Sequence, residues 1–142
     1  MKVVESTEDI VAVLRDPPTE PGVLAVYLFG SAAAGRMHRE SDVDVGVLLD
    51  RRRHPTPRAR FESRLRLIAE LGARLGGRAV DVVVLNDTPP ELGRRIVTTS
   101  PPLYCSDPEA EHAFRRDVQL RAADLAPFLR RMRRRKLEAM SR

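Results

Sequence analysis

Cysteine is almost missing from this chain. Cys105 is the only one among 142 residues. A single thiol excludes a disulfide within the chain and any cysteine-based zinc cluster. No apolar run approaches the roughly 18 residues of a membrane span. The first ten residues, MKVVESTEDI, mix acids among their apolar residues, unlike the core of a signal peptide. These absences together favour a cytoplasmic protein. Lysine is scarce as well: only Lys2 and Lys136, against 23 arginines. Such a bias accompanies GC-rich coding, so the arginine count alone says little about chemistry. The three histidines, His38, His54 and His112, are scattered in polar surroundings without zinc spacing and read as surface residues.

What is present fits one globular domain by length. Apolar residues are 42% and charged residues 32% of the chain, a balance suited to a packed core. The charge is unevenly placed. Residues 1–50 carry a net charge of −5 and residues 51–142 a net charge of +10. An acidic half in a basic protein suggests acids gathered for cation binding; the basic half suggests an anionic partner.

Patterning predicts alternating helices and strands. Ser6 is placed to cap a short helix that Asp16-Pro17-Pro18 ends. Residues 23–29 form a continuous apolar run between Gly22 and Gly30, the mark of a buried strand. Small residues follow from Gly30 to Gly35, a turn opening a short helix. Residues 42–49 alternate, with Asp42, Asp44, Gly46 and Leu48 on one face and Val43, Val45, Val47 and Leu49 on an apolar face. Thr56-Pro57 starts a helix whose Phe61, Leu65, Ile68, Leu71 and Leu75 recur at helical spacing. Residues 79–85 are a third strand, interrupted only by Asp81. A short helix over residues 90–97, an edge strand at residues 103–105 and a last helix from Asp107 complete the series. Phe114, Val118, Arg121 and Leu125 line one side of that helix, and Pro127 is expected to kink or break it. A basic segment ends the chain.

Three carboxylates stand where packing alone would not put them. Asp42 and Asp44, two apart on a strand, share a face. Asp81 lies inside another apolar run, where an uncompensated charge loses several kcal/mol of hydration. A solvated strand face is the commoner meaning of Asp-x-Asp, and Asp50 and Asp87, at loop borders, read as solvated. Three converging carboxylates are different, because a divalent cation relieves both desolvation and repulsion. An all-oxygen donor set suits Mg²⁺, or Mn²⁺, which also accept substrate phosphates. Gly30-Ser31 directly after the first strand offers close backbone approach and a hydroxyl for a phosphate. Ser31 lacks the flanking glycines of a hydrolase elbow. Tyr27 and Tyr104 read as core or half-core residues and Cys105 as a packed thiol.

Gly30-Ser31, ten intervening residues and then Asp42-Val43-Asp44 resemble the signature of the DNA-polymerase-β-like nucleotidyltransferases. Phe29, Gly35 and Ser41 agree with it, and residues 79–86 resemble that family's third-carboxylate strand. The small size, Pro89-Pro90 and the terminal helix are similar to the minimal nucleotidyltransferases (MNT) of prokaryotes, many of them antitoxins of HEPN ribonuclease toxins. The resemblance spans about residues 22–130. Residues 98–102 depart from it, standing where a glycine-containing turn is expected.

The resemblance implies an α/β (α+β) fold, a small mixed β-sheet flanked by helices. It implies a domain over residues 1–129 with a basic C-terminal tail over residues 130–142. It implies that Asp42, Asp44 and Asp81 are catalytic and hold two Mg²⁺ ions (Mn²⁺ as the alternative), and that Gly30, Ser31 and Ser41 bind the nucleotide. ATP would be the donor and a tyrosine of a cognate HEPN toxin the acceptor. Two alternatives stand beside this reading: an antitoxin that only masks its toxin, and transfer to a small molecule of the aminoglycoside type. RNA binding by the basic tail would need stacking aromatics, and Phe128 is the only aromatic in residues 126–142. Neither nucleic acid nor membrane is expected as a partner.

Overall fold

The computed structural model describes residues 4–35 and 42–141. Four strands form one mixed sheet: β1 (Val23–Phe29), β2 (Val43–Leu49), β3 (Val80–Val84) and β4 (Tyr104–Cys105), in the order β3-β2-β1-β4. β1 runs antiparallel to β2 and β4, while β3 runs parallel to β2. A parallel pair needs a crossover connection, and helix α3 (Pro57–Arg74) supplies it. Helices α1 (Thr7–Arg15), α2 (Gly30–Ala33), α4 (Pro90–Thr99) and α5 (Pro108–Met140), with a 3-10 turn at Leu85–Asp87, complete the described fold. No helix among the described residues is long and apolar enough to cross a membrane.

Capping chemistry fixes the helix starts. Ser6 Oγ accepts from Asp9 N, and the Asp9 carboxylate accepts from Ser6 N, satisfying two otherwise orphaned amides. Thr56 and Asp107 cap α3 and α5, each followed by proline.

The sheet is covered on both faces. Val43, Val45, Val47 and Leu49 pack with Ile10 and Leu14 of α1 and with Leu67, Leu71 and Leu75 on the side of α3. On the other face Ala25, Tyr27 and Leu48 pack with Ile96 and Val97 of α4 and Val118 of α5. The expected single apolar face of β2 is therefore half of its packing. Gly46 hides the second face from the pattern: a Cβ there would stand 3.2 Å from Ile96 Cγ2, so a bare backbone lets α4 settle.

Further expectations are corrected. Phe61 and Leu65 are 53% and 49% exposed. The buried positions of α3 are instead Arg60, Ser63, Leu67 and Leu71. Arg60 is stable inside because its guanidinium donates to both Asp87 oxygens, at 2.8 and 3.0 Å, and to the His54 carbonyl at 3.0 Å. Asp87 is thus an ion-pair partner rather than merely solvated. His54 is buried, its Nε2 2.8 Å from the Pro21 carbonyl oxygen, so it is no surface residue. Pro127 lies inside α5 without ending it. The basic segment is therefore the last turns of that helix, while Arg121 and Leu125 lie exposed beyond the packing of Glu111, Val118 and Ala122.

β3 is an edge strand, and side chains occupy its carbonyls. Arg64 Nε donates to Val82 O at 2.6 Å and Thr88 Oγ1 to Val84 O at 2.7 Å. Such caps discourage the addition of a foreign strand.

Candidate active site

The site lies where β1 ends and β2 and β3 begin. Phe29, the last residue of β1, is the register partner of Asp44, and Asp44 is that of Asp81 on the parallel strand. Residues opposite one another on paired strands point to the same face, so both carboxylates stand on the α4 side of the sheet. Gly30 follows with φ +75°. A Cβ on Gly30 would lie 2.2 Å from Asp44 Oδ2. Only glycine therefore lets the Asp44 carboxylate lie against the turn after β1.

The carboxylates differ in environment. Burial pushes the Asp44 carboxyl above its ordinary range, and the charges of Asp81 and then Asp42 push it the same way. Asp42, two residues earlier, is exposed. The Asp81 side chain is 52% exposed and pairs with Arg64 Nη2 at 3.5 Å. The expectation of a desolvated Asp81 is thus overturned, and the desolvated member is Asp44. The reason is topological: β3 is the edge strand, so Asp81 opens toward solvent. A groove of about 560 Å³ runs beside it, walled by Phe61, Arg64, Val83, Asp87 and Leu92.

Ser31, half-buried, follows Gly30 in α2. Ser41 and His38 lie outside the described residues. Arg64 was not singled out by sequence. Its signal is arginine at positions 60 and 64, one helical turn apart, on the helix leading to an acid-bearing strand.

No three His, Cys, Asp or Glu side chains among the described residues come close enough to enclose a metal ion. The donor set nonetheless fits a hard cation. Asp44 and Asp81 are both oxygen donors, side by side, with mutual repulsion that a cation would relieve. Mg²⁺ needs only one or two carboxylates when substrate phosphates and water complete its shell.

A buried network lies deeper under the same face. Tyr27 OH donates to the Glu111 carboxylate, as does Arg115 Nη2 at 2.6 Å, and Arg115 also donates to the Val97 carbonyl. Burial first, and then the bond to Glu111, raise the Tyr27 hydroxyl above its ordinary pKa. This network ties α5 to β1 and α4.

The sequence matches the family described as polymerase beta, nucleotidyltransferase, over residues 8–109. No curated protein matches the chain. Among solved structures, it is similar to a chain of a toxin–antitoxin complex with AMP-PNP, at 26% identity and a TM-score of 0.59, covering 96% of this chain and 98% of that one. It shares its fold with a chain of the tri-AMPylated Shewanella oneidensis HEPN toxin in complex with MNT antitoxin, at 23% identity, a TM-score of 0.54 and 96% coverage of each chain. The same holds for a chain of the MntA–HepT toxin–antitoxin complex, at 23% identity and a TM-score of 0.54, covering 96% of this chain and 97% of that one.

Proposed function

Because this chain belongs to the polymerase β nucleotidyltransferase family, we propose that it is a protein adenylyltransferase and an antitoxin. It transfers AMP from ATP, with Mg²⁺, to a tyrosine hydroxyl of a cognate HEPN ribonuclease toxin and so silences it. The observation that carries this reading is the pair Asp44 and Asp81 in register, with Gly30 shaped to admit the Asp44 carboxylate. The likeness to a toxin–antitoxin complex with AMP-PNP supports the choice of donor and partner.

The roles follow from the environments. Asp44, partly buried and held against Gly30, suits a fixed metal ligand, and Asp42 stands beside it at the strand start. Together with Asp81 they would hold two Mg²⁺ ions, or Mn²⁺. When bound, the ions neutralise charge on the attacking and leaving oxygens of an in-line displacement. Gly30, Ser31 and Ser41 would bind and orient the triphosphate. Asp81, half exposed at the groove, suits the group that takes the proton from an incoming hydroxyl. The hydroxyl oxygen then bonds to the α-phosphorus as its bond to the bridging oxygen breaks, and pyrophosphate leaves. The groove beside Asp81 has an apolar wall, Phe61, Val83 and Leu92, that suits an aromatic ring. On this reading residues 1–129 form the transferring domain, and residues 130–142 are a basic extension that meets an acidic face of the partner.

The test is incubation with ATP, Mg²⁺ and the protein encoded by the neighbouring gene, followed by intact-mass and peptide mapping. Adenylyl groups on a tyrosine of that protein support the reading. Modification of an added aminoglycoside instead would move the function to small-molecule transfer.

A further inference from the structure

Arg64 has a geometry that neither packing nor solvation of α3 requires. Its side chain is 33% exposed. Nε donates to the Val82 carbonyl at 2.6 Å, and Nη2 reaches Asp81 Oδ1 at 3.5 Å. A guanidinium is a rigid planar fork, so fixing one N–H on the backbone aims the others. The backbone oxygen belongs to the residue that follows Asp81, so both contacts report on one point of β3. Arg60, one turn earlier, is committed to Asp87 and the His54 carbonyl and does not duplicate this contact. Asp81 is also one of the charges that disfavour ionised Asp44. Arg64 therefore sets a positive charge on the outer side of the carboxylate cluster.

The geometry points to Arg64 as a positioning residue for Asp81. It holds that carboxylate at the groove, where the acceptor hydroxyl arrives, and offsets the charge of the cluster until a divalent cation binds. This rests on the reading of Asp81 as proton acceptor. Two consequences have opposite signs. Loss of Arg64 leaves Asp81 unaimed, so turnover falls while ATP recognition, which belongs to Gly30, Ser31 and the other carboxylates, is retained. Loss of the same positive charge removes a competitor, so cation affinity rises. A purely structural role for Arg64 would lower both.

The experiment measures Mn²⁺ binding to the full-length protein without nucleotide, by the electron paramagnetic resonance signal of free Mn²⁺, alongside AMP transfer to the protein acceptor. The proteins are the parent, Arg64→Gln, Arg64→Lys, Asp81→Asn and the Arg64→Gln/Asp81→Asn double variant. Arg64→Gln should tighten Mn²⁺ by about three- to tenfold, the effect of one charge a few ångströms away in a watery setting. That gain should shrink in the Asp81→Asn background, because Arg64 then no longer competes with the cation for a carboxylate and only its direct repulsion remains. Turnover should fall by roughly 10- to 100-fold with the KM for ATP within about twofold, the scale of a misaimed reacting group. Arg64→Lys keeps the charge without the fork. It should hold parent-like Mn²⁺ affinity with reduced turnover, and it decides the matter if Arg64→Gln does not fold. Weaker or unchanged Mn²⁺ binding in Arg64→Gln, the same change in both backgrounds, or full turnover in Arg64→Lys would overturn the inference. A parent that transfers AMP to no protein would sink the functional reading instead, and the Mn²⁺ comparison would still decide the coupling of Arg64 to Asp81.

Discussion

Replacing Gly30 with alanine carries two separable costs. Gly30 has φ +75°. An L-residue in that left-handed region pays about 1–2 kcal/mol. The new Cβ would also lie 2.2 Å from Asp44 Oδ2, 3.1 Å from its Cγ and 3.3 Å from its Cβ. No real contact survives at 2.2 Å, so the carboxylate must turn away, at about 0.5–1.5 kcal/mol for a displaced rotamer. The sum, about 1.5–3.5 kcal/mol, corresponds to a fall of roughly 5–12 °C in the thermal midpoint for a domain of this size. Asp44→Ala removes the clashing oxygen and leaves only the 3.3 Å contact with its Cβ. In that background Gly30→Ala should cost the backbone part alone. Thermal melts of the four proteins without metal close the cycle. Transfer by Gly30→Ala alone should drop on the order of 100-fold, the scale of an ångström-sized misplacement. Equal destabilisation in both backgrounds would refute the claim that Gly30 exists to admit Asp44.

Asp44 carries the electrostatic burden of the metal-free fold, because burial, Asp81 and Asp42 hold its pKa above the unfolded value. The folded state then keeps its proton to higher pH, so stability declines as pH rises through the raised pKa. Asp44→Asn should raise the midpoint of the metal-free protein at neutral pH, and a lower calorimetric midpoint would contradict this. Glu20 shifts the opposite way: the hydrogen bond from Arg66 is the largest influence and lowers its pKa. That stabilisation is full above the ordinary carboxylate range and is lost as pH falls through the lowered value. Urea midpoints of Glu20→Gln and parent should therefore converge in acid; a gap that persists there speaks against the pair. Tyr27→Phe removes one hydrogen-bond donor from the buried Glu111 carboxylate, which should cost about 1–3 kcal/mol. Transfer should stay at the parent rate, and a large loss would place this network in the chemistry.

The parts of the fold that sequence revealed are those with local signals. β1 is bounded by glycines, α1 and α3 by side-chain caps, and the short edge strand and the closing helix fall where patterning puts them. Gly30, Asp42, Asp44 and Asp81 stood out because acids and a glycine interrupt apolar strands. What remained hidden depends on long-range partners. Arg60 lies inward on α3 because Asp87, 27 residues later, meets it. Phe61 and Leu65 follow an apolar period yet face outward, since the inward stripe is carried by Arg60, Ser63, Leu67 and Leu71. His54 is buried against a carbonyl of the preceding loop, a contact no spacing encodes. Gly46 conceals a packed face by having no side chain. The exposure of Asp81 follows from β3 being at the edge, which strand order decides and sequence does not state. Pro127 weakens a helix locally, but one missing N–H does not end a helix of 33 residues.

We propose metal-assisted transfer of AMP to a protein through Asp42, Asp44 and Asp81. Its most direct test is the rate of adenylyl incorporation from labelled ATP into the neighbouring gene product, for the parent and for Asp42→Asn and Asp44→Asn. Labelled toxin is expected with the parent, none after chelation of Mg²⁺, and a loss on the order of 1,000-fold or more in each variant. Near-parent incorporation by either variant, or label that persists in chelator, would contradict it.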